Sequence, residues 1–337
     1  MRTAAFPVED SSHVAAARRG AVWAAERAGF DETRAGQVAI VATELATNIL
    51  KHAGRGEMLV SDCGAGAARG LEILALDAGP GLPHLDRSIR DGHSTTGSLG
   101  LGLGAVSRLS DAFDVFSLPG KGSVVLARLR ARPGEAHAGA FAIAGISVAL
   151  AGEEACGDDW VADVGRHRTS VLVADGLGHG LLAADAAAAA VREFSRDPHR
   201  SPAAMLEDLH NALRATRGAA LGVAHIDLEK DLVTFAGLGN IGGAIVANGS
   251  RKNLTTHNGI AGYSARHVQE FGYPLPREAV IVLNSDGLGS HWSPADYPGL
   301  WVKDPALIAG AIYRDFTRRR DDATVVVGTR RRSTDAR

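Results

Sequence analysis

Residues 41–59, VATELATNILKHAGRGEML, set apolar side chains at helical spacing and interleave them with Glu44, Asn48, Lys51 and His52. Followed backwards, the pattern starts at Asp31, a residue type that caps helix N-termini. Val38, Val41, Leu45 and Ile49 then recur on one face, and Gly54 closes the segment as a C-cap glycine does. The spacing predicts a helix with one buried face. Glu44 and Asn48 are one turn apart and Lys51 and His52 about another, so the four polar groups are expected on one side. Alone, such a stripe reads most simply as the solvated side of an amphipathic helix. A carboxylate beside an amide oxygen is also a place for a divalent cation or an activated hydroxyl.

Composition bounds what this helix can belong to. At ~150 residues per domain, 337 residues make about two domains, and 45% hydrophobic content supplies a core for each. The formal net charge of −2 gives no basic field, so neither nucleic acid nor a membrane surface is an expected partner. Cys63 and Cys156 lie far apart without metal-ligand spacing, which argues against a disulfide framework or a zinc site and for a reducing cytoplasm. The start, MRTAAFPVEDSSH, lacks the apolar core of a signal peptide. The most apolar run, AGAFAIAGISVALAG at 138–152, is interrupted by glycine and too short to span a bilayer.

The chain divides where VVLARLR (124–130), which alternates like a strand, gives way to ARPGEAHAG. The expected organisation is a first domain over 1–131, a linker over 132–138, a second domain over 139–331 and a tail over 332–337. The first half reads helix, helix, strand, loop, helix, strand. The second reads as β-rich runs around the alanine-rich helix LLAADAAAAAVREF (181–194) and another helix near 202–216. Both halves are expected to be α+β.

Two stretches downstream of the opening helix give its polar stripe a context. In LEILALDAGPGLPHLD (71–86) an alternating strand ends on Asp77 and runs into Gly79, Pro80 and Gly81. Glycines there let backbone approach a ligand, and a lone carboxylate can accept from an exocyclic amine. In RDGHSTTGSLGLGLGAVSRLSDAF (90–113), Gly97, Gly100, Gly102 and Gly104 lead into an apolar-periodic helix. Stacked N–H groups at a helix start form an anion cradle.

Singly each stretch is an ordinary turn. In this order and spacing, with PGKGS (119–123) before the last strand, they resemble the N, G1 and G2 boxes of the GHKL ATPase superfamily over about residues 8–130. The likeness is greatest to the anti-sigma-factor serine kinases of the RsbT type. That resemblance implies a Bergerat α/β sandwich binding ATP and Mg²⁺. Glu44 would be the general base, Asn48 the Mg²⁺ ligand and Asp77 the reader of adenine, with Gly79, Gly81, Gly100, Gly102 and Gly104 shaping the nucleotide pocket. No phosphoacceptor-histidine helix precedes these motifs, so the acceptor is expected on another chain.

The second half concentrates acid where strands meet loops: CGDDWVADV (156–164), SVLVADGLGHG (170–180), VIVLNSDGLGSHW (280–292) and RRDDATVVV (319–327). Each alone is a turn or cap signal. Carboxylates brought to a common rim repel unless cations neutralise them, and oxygen ligands suit Mg²⁺ or Mn²⁺. The set resembles the SpoIIE and RsbX branch of the metal-dependent PPM serine/threonine phosphatases over about 139–331, which implies an α-β-β-α sandwich holding two Mn²⁺ or Mg²⁺ ions. By that resemblance Asp175 bridges both metals and Gly176 offers its carbonyl. Asp286 and Asp321 complete one site, and Asp158 binds a metal or its water. Asp159 is an open alternative to Asp158, and Asp322 to Asp321. GLGNIGG (237–243) is also like a glycine-rich strand end of this branch. His179 reads as a hydrogen-bonding turn residue rather than an acid, and no arginine suited to grip a substrate phosphate is evident near the first motif.

Together the resemblances imply a fused regulator of a partner-switching or stressosome pathway. It would phosphorylate and dephosphorylate Ser/Thr of a STAS-domain partner that controls a sigma factor. The alternative is a metal-dependent phosphatase whose first domain only binds ATP and a partner. A homodimer is compatible with either.

Overall fold

The computed structural model describes residues 3–64, 69–82, 102–132, 139–265 and 268–331. The chain forms two compact units, Thr3–His137 and Ala138–Arg337.

In the first unit the elements are β1 (Thr3–Val8), α1 (Ser11–Arg27), α2 (Glu32–Ala53), β2 (Gly56–Cys63), β3 (Gly70–Asp77), α3 (Gly102–Leu109), β4 (Ala112–Leu118) and β5 (Gly122–Arg130). The strands make one antiparallel sheet in the order β1-β2-β3-β5-β4. Helix α2 forms where its caps and periodicity place it. Asp31 accepts from the N–H of Arg34 at 2.7 Å, and the N–H of Gly54 donates to the Leu50 carbonyl at 3.2 Å. Its apolar face, Val38, Val41, Leu45 and Ile49, packs in one core with Met58, Val60, Ile73 and Ala75 of the sheet.

Two strands were expected in this unit and five are present. β1 and β4 are the sheet's edges. β1 carries Pro7, which has no N–H for a ladder and is tolerated at an edge. β4 is only partly buried, so it lacks the clean alternation that a sequence reading needs.

Arg34 ties three of these elements together. Its Nε donates to the Arg130 carbonyl at 3.0 Å and its Nη1 to the Leu109 carbonyl at 3.2 Å. It also pairs with Asp111, whose carboxylate accepts the N–H of Arg130 at 2.6 Å. The start of α2, the end of α3 and the end of β5 are thereby fixed together. Arg34→Ala leaves Asp111 poorly solvated, so a loss of about 3 kcal/mol is expected in urea unfolding of this unit.

The second unit holds β6 (Phe141–Val148), β7 (Asp158–Val164), β8 (Arg168–Gly176), α4 (Leu181–Phe194), α5 (Pro202–Ala212), β9 (Ala219–Asp227) and β10 (Leu232–Leu238). It continues with β11 (Gly242–Ala247), β12 (Ser250–Asn253), β13 (Phe271–Pro274), β14 (Val280–Asn284), α6 (Pro305–Phe316) and β15 (Ala323–Arg330). Two five-stranded sheets result, ordered β13-β10-β9-β8-β7 and β12-β11-β14-β15-β6. Val171, Val173, Ile226 and Phe235 of one sheet meet Ile245, Ile281, Leu283 and Val326 of the other in a central core. On the outer face of the first sheet, Leu172, Ala174 and Leu221 pack with Ala187, Ala190, Phe194 and Leu209 of α4 and α5. Helix α6 covers β6 and β15, which completes the α-β-β-α layering.

Helix α6 was not anticipated. It is buried continuously from Pro305 to Tyr313, so it has no polar face and no amphipathic period. Its local signals are the Asp304 cap, accepting from Ala306 N–H at 2.9 Å, and Pro305 at the first helical position. No helix among the described residues is long and apolar enough to cross a membrane, and both cysteines are free thiols.

Candidate functional sites

In the first unit, Glu44 and Asn48 stand half-buried on α2, and neither side chain has a hydrogen-bond partner among the described residues. Gly102, at the start of α3, lies directly over them. A Cβ at that position would sit 3.2 Å from Glu44 Oε2 and 3.4 Å from both polar atoms of the Asn48 amide, so a side chain there would fill the space that glycine leaves beside them. Gly104, two residues further along the same helix, is buried. Lys51 and His52 do not join this group; they are exposed on the last turn of α2.

Asp77 ends β3 opposite Ser123 of β5, whose hydroxyl donates to its carboxylate. The other Asp77 oxygen accepts the N–H of Gly79 at 2.8 Å. Gly79 lies against Ala53, so the turn after β3, with Gly81 in it, is pressed onto the C-terminal end of α2. The last two turns of α2 therefore run between the Asp77 turn and Gly102. An unpartnered carboxylate and amide facing a helix N-terminus fit a cation-bearing polyphosphate. Gly97 and Gly100 lie outside the described residues.

In the second unit the carboxylates converge from both sheets. Asp158 opens β7 and Asp175 lies near the end of β8, and the antiparallel register sets them directly opposite each other. Alternation along the strands turns Asp158 to the side of Trp160, and Asp175 to the side of Val171 and Val173, all members of the inter-sheet core. Asp159 therefore points to the opposite face. Like charges facing each other across a ladder destabilise it unless a cation intervenes. Gly176 follows with its N–H donating to the Gly157 carbonyl at 3.0 Å, and α4 comes so close that a Cβ at 176 would be 2.2 Å from the Ala183 carbonyl oxygen. Glycine at this position lets helix and strand end meet.

From the second sheet, Asp286 follows β14 and accepts from the Asn240 amide at 2.6 Å, and Asp321 and Asp322 precede β15. The last two differ. Both Asp322 oxygens are engaged, by the N–H groups of Leu150 and Gly157, each at 2.7 Å, and the residue is buried. Asp321 is half-buried and accepts the Asp322 N–H at 2.9 Å, which leaves its second oxygen without a partner among the described residues.

Electrostatics record the convergence. Burial, with repulsion from Asp158, Asp286, Asp321 and Asp322, pushes Asp175 up to about 9. Asp158 rises to about 7, chiefly through burial with added repulsion from Asp322 and Asp321, against the pull of the Ser285 and Thr324 hydroxyls. Asp286 is raised by burial and Asp321, opposed by Arg318 and Asn240. Asp158 Oδ2 is buried without a partner. Among the described residues no three His, Cys, Asp or Glu side chains stand as a ready-made metal cage. The fit to divalent cations rests instead on this orphaned oxygen and the all-oxygen donor set with its surplus of negative charge.

Several participants escaped the sequence reading. Asn240 sits in GLGNIGG, where the glycines drew attention and the amide did not. Ser285, which precedes Asp286, accepts the Thr324 N–H at 3.0 Å, and Thr324 shares a 2.6 Å hydroxyl contact with Ser147. His179 is held by Glu153, 2.7 Å from its Nδ1, in a cleft beside the turn that follows Asp175. Glu153 carries no motif signal; only the fold brings it there.

Comparison with known proteins gives these sites a lineage. Residues 6–129 match the model of the histidine kinase-like ATPase domain, and residues 165–331 that of stage II sporulation protein E (SpoIIE). The serine/threonine-protein kinase RsbT of Bacillus subtilis (strain 168) is 36% identical over 114 residues, which cover 34% of this chain and 86% of that protein. A structure from work on the bacterial stressosome, as a modular system adapted to control secondary messenger signaling, is similar with TM-score 0.53 and 25% identity. The likeness covers 56% of this chain and 98% of that one. RsbX in complex with magnesium shares the fold at TM-score 0.53 and 19% identity, over 58% and 98% of the two chains. The fold is thus that of a histidine-kinase-like ATPase domain followed by a domain with the PPM phosphatase fold. Through its first domain the chain belongs to the RsbT-type GHKL serine kinase family, here fused to a SpoIIE-like domain.

Proposed function

We propose that this chain is a bifunctional regulator of a partner-switching pathway. It phosphorylates Ser or Thr of a STAS-domain protein that controls a sigma factor, and removes the same phosphate. The observation that carries this reading is the presence in one chain of an unpartnered Glu44–Asn48 pair beneath Gly102 and of Asp158 facing Asp175. The functional boundary falls at residues 132–138, and the proposed setting is the cytoplasm.

In the kinase domain ATP supplies the phosphoryl group. Asp77 accepts from the adenine amine, and Gly79 and Gly81 let the base lie against the strand end. Asn48 would hold Mg²⁺ through its amide oxygen, and Gly100, Gly102 and Gly104 would leave room for the phosphates. Glu44 takes the proton from the acceptor hydroxyl as its oxygen attacks phosphorus, and ADP leaves. In the phosphatase domain, two Mn²⁺ or Mg²⁺ ions would supply charge neutralisation and a water of lowered pKa. Asp175, the Gly176 carbonyl, Asp286 and Asp321 would hold those ions, and Asp158 would hold a metal or its water. Asp322 is instead a positioning residue, tying Leu150 and Gly157 to the rim. Water cleaves the phosphoester to serine and inorganic phosphate.

The test is transfer of labelled γ-phosphate from ATP to the STAS-domain protein encoded beside this chain, with Asp175→Asn to prevent its removal. Label on serine or threonine, erased by wild-type chain with Mn²⁺, is expected. No label despite bound ATP would overturn bifunctionality and leave a phosphatase with a nucleotide-binding module.

A further inference from the structure

The rim that would receive a phosphoserine is crowded with carboxylates, and a phosphomonoester approaches it as a dianion. Beyond the cations that neutralise the ligands, the protein needs a positive group aimed at the phosphate's outer oxygens. Arg318 already acts on Asp286, opposing the rise that burial and Asp321 impose on its carboxyl. The open cleft of about 450 Å³ beside the turn after Asp175 is lined by Glu153, Glu154, His179, Leu181, Leu182 and Arg217, among others, and Arg217 is the one Lys or Arg lining it among the described residues. The carboxylates of the rim do not themselves line this cleft; it opens next to them.

Arg217 is held there by backbone. The N–H of Leu177, two residues beyond Asp175, donates to the carbonyl of Gly218 at 3.0 Å, which ties the residue after Arg217 to the Asp175 turn. The guanidinium reaches back over the same turn, with Nη1 3.4 Å from where a Cβ on Gly178 would be. Gly178 in turn lies against Gly157, the residue before Asp158. Arg217 is exposed and has no hydrogen bond or ion pair among the described residues, although Glu153 and Glu154 share its cleft. Glu153 is occupied by His179. An unpaired guanidinium beside an acidic rim offers two parallel donors to a phosphate without first breaking a contact.

We infer that Arg217 is the phosphate-binding residue of the phosphatase domain, gripping the substrate's non-bridging oxygens from the cleft beside the Asp175 turn. This rests on the phosphatase reading above and adds the residue that recognises the substrate. The experiment uses the full chain with Mn²⁺ and p-nitrophenyl phosphate as probe. Arg217→Ala is expected to raise KM by about 10- to 100-fold, as loss of a charge-assisted pair would, with kcat changed far less, and to weaken competitive inhibition by inorganic phosphate by a similar factor. Arg217→Lys should recover part of the loss, and the melting temperature should hold because the side chain supports no contact.

A second readout is independent of turnover. Inorganic phosphate should protect Arg217 of the metal-loaded chain from phenylglyoxal, measured by peptide mass spectrometry. Unchanged KM in an active Arg217→Ala chain, absence of protection, or the same KM effect falling on Arg318→Ala instead would overturn the assignment. A wild-type chain that binds Mn²⁺ yet hydrolyses no probe would overturn the phosphatase reading, and this inference with it.

Discussion

Asp175→Asn is expected to abolish Mn²⁺-dependent phosphatase activity, by at least about 10³-fold, while making the metal-free protein more stable at pH 8 by about 2 kcal/mol. The opposite signs come from one cause. In the metal-free fold Asp175 is buried and faces Asp158 across the ladder, and burial first, then repulsion from Asp158, Asp286 and Asp321, pushes its carboxyl up to about 9 from the ordinary 3.8. The folded state thus holds this proton more tightly than the unfolded chain does. Stability from this group is greatest below pH 4, falls as pH climbs through the range between the two values, and levels off above about 9. Asp158, raised to about 7, acts in the same direction over the lower part of that window.

Thermal unfolding in chelator should therefore show the second unit of the wild type losing stability from pH 5 to pH 9, with a shallower slope in Asp175→Asn. Added Mn²⁺ should stabilise the wild type most at the alkaline end and the variant much less. A variant less stable than wild type at pH 8 without metal would mean that the facing carboxylates do not carry the strain assigned to them.

Glu44→Ala should reduce phosphoryl transfer to the STAS-domain acceptor by about 10²- to 10⁴-fold, the range a positioned general base contributes. ATP affinity should change by no more than a few-fold, because adenine and the phosphates are assigned to Asp77, Asn48 and the glycines rather than to this carboxylate. Glu44→Gln keeps the shape under Gly102 and should be as inactive, which separates loss of the base from collapse of the pocket. Fluorescent-nucleotide titration beside the transfer assay reads both quantities. If nucleotide binding is lost together with transfer in Glu44→Gln, the base assignment fails and Glu44 is a binding group.

Local signals carry far in this chain. Helix α2 could be placed because Asp31, Gly54 and the 38-41-45-49 spacing all act within a few residues of one another. The acidic motifs were legible for the same reason, as was the meeting of β3 with the Asp77 turn. Where the information is not local, reading stopped short. Edge strands β1 and β4 owe their conformation to partners far along the chain, and α6 shows no period because both its sides are buried.

The site divides along the same line. Motif order and spacing, through the family resemblance they carry, marked Glu44, Asn48, Asp77, Asp158, Asp175, Asp286 and the pair at 321–322 as candidates for this chemistry. That Asp158 and Asp175 face each other follows from the β7–β8 register. The inward turn of Asp158 and outward turn of Asp159 follow from strand alternation, and Asp322 is withdrawn by two backbone N–H groups from remote loops. Charge and hydrogen-bonding capacity belong to a residue wherever it stands, whereas repulsion, burial and pairing exist only between groups that folding has brought within a few ångströms.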